Sequence, residues 1–131
     1  MQTNTYAVGQ VWSYQSRDHE LDSKLYISQV DEEMPIGPVY HIYLDGLSIQ
    51  NPHTADGVQT TFPHAPVSAE TLDASVTELL QTRETDLPDV SEGYQMWRDA
   101  FDKGEAGVFT ISVREIVQFI EDAVNGKLDG Q

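Results

Sequence analysis

Three runs of mostly apolar residues lie near the start of the chain, at 11–15, 24–30 and 39–44, each rich in β-branched and aromatic residues. Gly, Pro, Asp or Ser bound each run, so the pattern predicts three strands in an antiparallel meander. Asp45-Gly46 follows the third. It reads either as a two-residue hairpin leading into Leu47-Ser48-Ile49 or as a glycine bulge inside one long strand. From 51 to 66 there are three prolines and one glycine with little periodicity, which predicts a long connecting loop.

The period then changes to that of a helix. Ser68 is a good N-cap, with Val67 and Leu72 placed for a hydrophobic staple, and Leu72, Val76, Leu79 and Leu80 make a stripe that predicts a helix over 69–81. Tyr94, Trp97 and Phe101 make a second stripe over 92–103, closed by Gly104. The apolar run 107–111 is a candidate short strand. Ser112-Val113-Arg114-Glu115 matches a capping box, with Ile111 and Ile116 as its staple, and opens a helix over 113–125 that Gly126 closes. Strands followed by helices, without alternation of the two, define an α+β class. The expectation is one domain over 1–131, a small antiparallel sheet of three to five strands with three C-terminal helices packed on one face.

Composition adds one feature. With 22 acidic residues against 7 basic ones, the formal net charge is −15. That balance disfavours unaided binding to nucleic acid or anionic lipid, whose phosphates are met by Lys and Arg, and favours a basic protein partner. The chain has no cysteine, so disulfides, thiolate metal sites and cysteine nucleophiles are excluded and a reducing, cytoplasmic setting is expected. It shows neither a signal-peptide pattern nor an apolar run long enough for a membrane span.

Catalytic signatures fail at the positions their mechanisms require. His19-Glu20 begins like a zinc-protease helix, but Ser23 stands where the second imidazole belongs. The run from Gly46 to Gln50 lacks the last glycine of a nucleophile elbow. His53, His64 and Asp56 lie in the proline-punctuated segment and are weak candidates for a metal or ligand site, since two imidazoles and a carboxylate suit zinc or iron. The reading of the residues is no cofactor, loop histidines that cap turns, and His41 as a hydrogen-bonded sheet residue. Trp12, Tyr14, Tyr26, Tyr40 and Tyr43 suit core and cross-strand packing better than a stacking platform, because bases are lacking nearby. The acids form separated groups. Asp18, Glu20 and Asp22 precede the second strand and Asp31, Glu32 and Glu33 follow it, roughly 23 Å apart for about seven residues, while Glu84, Asp86 and Asp89 lie between the first two helices.

Gly9-Gln10-Val11-Trp12-Ser13-Tyr14, Asp45-Gly46-Leu47 and Gly107-Val108-Phe109-Thr110-Ile111 resemble a group of small uncharacterised bacterial proteins, a likeness that brings no activity with it. In size, acidity and lack of catalytic residues the chain also resembles, by type alone, the immunity proteins that neutralise bacterial toxins. The function expected from these features is non-enzymatic binding of a basic protein, with Asp31, Glu32, Glu33, Glu84, Asp86 and Asp89 as contacts. The alternatives are a small enzyme or ligand-binding domain with a pocket near His53 and His64, and an inhibitor that mimics DNA.

Overall fold

The three runs form β1 (Gln10–Tyr14), β2 (Leu25–Asp31) and β3 (Val39–Leu44), paired as the antiparallel meander that their composition predicts. They belong to a computed structural model that describes residues 6–32, 37–85 and 87–126. Asp45-Gly46 is neither a hairpin nor a bulge. It is a bend that carries the chain out of the main sheet, with Gly46 at φ 60° and so close to Ser23 that a Cβ would come within 2.9 Å of its Cα. Asp45 holds the bend by accepting from the Lys24 N–H (2.7 Å) and the Tyr26 hydroxyl (2.8 Å). Beyond it, β4 (Ile49–Gln50) and β5 (Val58–Gln59) pair as a two-stranded ribbon.

The segment 51–66, expected as a loop, contains β5 and most of a further strand, β6 (Phe62–Val67), which pairs antiparallel with β3. Pro63 and Pro66 conceal it, yet an edge strand tolerates residues without an N–H. On its outer side β6 meets the 107–111 run, through one parallel bridge between Val67 and Phe109 and an N–H donated by Phe109 to the Pro66 carbonyl (2.9 Å).

The helix expected over 69–81 is about half that length. Ser68 caps α1 (Ala69–Ser75) as predicted, but the chain turns extended at Val76 and continues as β7 (Val76–Thr82), antiparallel to β1. Ser75 marks the change. Its hydroxyl donates to the Thr71 carbonyl (2.5 Å), a local bond that weakens a helix, and accepts the Val113 N–H (2.9 Å). β-Branched Val76 and Thr77 then suit a strand, and pairing with β1 satisfies backbone groups that its edge would otherwise leave open. The helical spacing of Leu72, Val76, Leu79 and Leu80 is outweighed by this pairing, because propensity is a weak prior against tertiary hydrogen bonding.

The main sheet therefore has the order β6-β3-β2-β1-β7, with α1 linking its two edges. Two more helices, α2 (Ser91–Asp102) and α3 (Val113–Val124), complete an α+β architecture whose helices all lie in the C-terminal half. They do not share one face. Ile42 and Leu44 join Leu72 of α1 and Val113, Ile116 and Val117 of α3 in the larger core, whereas Val39 packs with Trp97, Tyr94 and Phe101 of α2. The two sets point to opposite sides of β3, so α2 covers the other face of the sheet. A central strand buried on both sides requires that second cover. Among the described residues, no helix is long and apolar enough to cross a membrane.

Candidate functional site

The most unusual polar group lies under α2. His41 is fully buried in the middle of β3. Strand pairing brings Asp31 of β2 to one side of it and His64 of β6 to the other, and both imidazole nitrogens are used: Nε2 lies 3.1 Å from Asp31 Oδ2 and Nδ1 2.9 Å from His64 Nε2. The Asp31 carboxylate accepts, so His41 Nε2 carries the hydrogen. His41 Nδ1 must then accept from His64 Nε2–H, which leaves the lone pair of His64 on Nδ1.

Helix α2 closes over this line. The rings of Tyr94 and Trp97 stand edge-on to His41 at 4.8 and 5.0 Å, the Tyr94 hydroxyl reaches Asp31 Oδ1 (3.5 Å), and Trp97 Nε1 donates to the Gly107 carbonyl (2.8 Å). In the first turn, Gly93 sits so close to His64 that a Cβ would lie 2.6 Å from the His64 Cβ. Burial pushes both imidazoles below their ordinary range. At His41 the Asp31 carboxylate opposes that shift, while at His64 the neighbouring His41 adds to it and brings the value to about 4.

The other weak candidates do not join this cluster. His53 and Asp56 are exposed and serve their own turn: the His53 N–H donates to Asn51 Oδ1 (2.9 Å), and Asp56 Oδ1 accepts from the Val58 N–H (3.4 Å). Among the described residues, no three His, Asp or Glu side chains are arranged to hold a metal ion.

Of the acids expected at a partner surface, Glu33 and Asp86 lie outside the described residues. Asp31 is committed to His41 and Tyr94, with its side chain only 19% exposed. Glu32, Glu84 and Asp89 are exposed, and Asp89 accepts from Ser91 at the start of α2, which holds its carboxyl below the usual range. Topology places two of these together. β2 and β7 are both antiparallel to β1, so they run the same way, and Glu32 and Glu84 leave the sheet at the same end. Tyr94 of α2 reaches Asp31 of β2, while its neighbour Gly93 packs on His64 of β6, the edge opposite β7. Glu84 follows β7, exposed at six of its seven residues, with Leu79 and Leu80 at 43% and 42%.

A second polar centre, not foreseen from spacing, surrounds Arg17. Its guanidinium is nearly buried and donates to Glu20 through Nε and Nη2 (2.8 Å each), to Glu121 (2.9 Å) and Gln118 (3.2 Å) of α3, and to the Ser48 carbonyl (3.4 Å). Glu20 also accepts from the Ser48 N–H and Glu121 from the Gln50 N–H. Every donor of the guanidinium is occupied and two carboxylates balance its charge, so this centre ties the loop 15–24, the β4–β5 ribbon and α3 together. Compared with known protein families, curated proteins and solved structures, the chain matches none of them.

Proposed function

We propose that the chain is a non-enzymatic binding protein that receives a basic protein partner, in the manner of an immunity or inhibitor protein neutralising a toxin. The observation that supports this best is that exposed Glu32 and Glu84 leave the sheet at the same end, beside an edge strand exposed along its length, with exposed Asp89 at the start of α2. Fixed negative charge there accelerates encounter with a cationic surface. Exposed Leu79 and Leu80 provide apolar area next to it, and the outer edge of β7 offers backbone donors and acceptors. The test begins with the purified chain as bait and identification of what it retains. The proposal expects a basic protein, bound at least about tenfold more weakly by a Glu32→Gln, Glu84→Gln, Asp89→Asn triple variant that keeps the fold. A partner that binds this variant and the native chain equally well overturns it.

A further inference from the structure

The seat of α2 on the sheet is made from titratable groups. Among the described contacts, the helix touches its face of the sheet through Tyr94 and Trp97 against His41, Gly93 against His64, and Trp97, Tyr94 and Phe101 around Val39. Its own start is less firmly capped than that of α3. The N-cap Val90 makes no side-chain bond to the first turn and only Asp89 Oδ1 accepts there, from the Ser91 N–H (2.9 Å), whereas Ser112 closes a full capping box on α3. Two imidazoles thus lie where a hydrophobic core would ordinarily carry aliphatic groups.

We propose that the His41–His64 pair is an acid-released latch, in which protonation lifts α2 from the sheet and uncovers the apolar surface of Trp97, Tyr94 and Val39. Both rings are neutral when their hydrogen bonds are satisfied as described, since His41 Nδ1 can accept from His64 only while it has a lone pair. One added proton makes His41 a donor on both sides. His64 must then accept at Nε2 and carry its hydrogen on Nδ1, the nitrogen beside Gly93 in the first turn of α2, the positive end of the helix. A second proton places two cations 2.9 Å apart, nitrogen to nitrogen, beneath an apolar helix.

Among the described residues, the ionisable and charged groups facing the pair are Asp31 from β2 and Tyr94 from α2, with Arg98 acting next to Tyr94; Glu92, beside Gly93 in the first turn of α2, is exposed. Asp31 neutralises one charge on His41 and leaves His64 without a carboxylate partner among the bonds shown. A histidine depressed in the fold favours the neutral form, so its contribution is whole above its unfolded value near 6.5 and is lost as pH falls toward the folded value of about 4 at His64. Helix α3 and the core it joins contain no histidine, and the imidazole that acts on α3, that of His19 near Glu121, is exposed rather than buried beneath the helix.

The experiment is hydrogen exchange of the full chain from pH 7.5 to 4, expressed as protection factors and read beside Trp97 emission in a Trp12→Phe background. Protection across α2 should fall at least about tenfold while α3 changes less than about twofold, with Trp97 emission shifting to the red at the same midpoint. His64→Gln, which keeps a donor for His41 Nδ1 but cannot titrate, should lower that midpoint by a pH unit or more. Loss of protection in α2 and α3 together, or an unchanged midpoint in His64→Gln, overturns the latch. Should His64→Gln fail to fold, the ring 15N shifts of the native chain decide. Titration of His41 and His64 at the Trp97 midpoint supports the latch, and titration more than a unit away overturns it.

Discussion

Single side chains carry much of the order at the joints between elements. Ser112 accepts the Glu115 N–H at 3.2 Å and Glu115 returns to the Ser112 N–H at 3.1 Å. Ser112→Ala should therefore cost about 1 kcal/mol in urea unfolding, within roughly 0.5–2. Of the two residues expected to staple it, Ile116 is fully buried and Ile111 is 40% exposed. Arg17 predicts a larger effect. Its side chain and that of Glu20 are nearly excluded from water, so Arg17→Met strands a buried carboxylate and should cost about 3–5 kcal/mol. Burial alone would raise Glu20, but the bonds from Arg17 and the Ser48 N–H outweigh it and hold the carboxyl below its ordinary 4.5. Its contribution is therefore complete above about pH 4.5 and is lost as pH falls through the lower folded value, a dependence that the Arg17→Met variant should lack when unfolding is followed against pH.

At the level of elements, two substitutions separate the observed arrangement from the one that periodicity suggests. Leu80→Thr should alter stability by no more than about 0.5 kcal/mol, because Leu80 is an exposed strand residue; in a helix over 69–81 the same position would line the core. Gly93→Ala ordinarily strengthens a helix by about 1 kcal/mol. Here it should destabilise, by about 1–3 kcal/mol, because its methyl group would overlap the His64 Cβ. Thermal or urea unfolding orders both. The meander, the caps of α1 and α3 and the glycine ends at Gly104 and Gly126 were legible because each is written in neighbouring residues. β6 was hidden by prolines that only an edge can accommodate, and β7 by leucines whose spacing suits a helix, while the partner that decides it, β1, lies more than sixty residues away. The site shows the same divide. His41 was readable as a bonded sheet residue, but Asp31 and His64 become its partners only through the registers of β2 and β6 with β3.

For the molecule as a whole, a formal charge of −15 on 131 residues dominates long-range behaviour. Like charges repel within the folded state, and salt screens them over about 8–10 Å at physiological strength. The isolated chain should therefore gain stability as neutral salt rises from very low values, which a melting series in sodium chloride would show. Association should move the opposite way. If the acidic end of the sheet recruits a basic partner, screening removes the attraction that guides the two together. The decisive measurement is stopped-flow association of the chain with the partner it retains, over a range of ionic strength. The account predicts an on-rate that falls by about tenfold or more from low salt to roughly 0.5 M, with a much smaller change in the off-rate. An on-rate that stays constant across that range would contradict it.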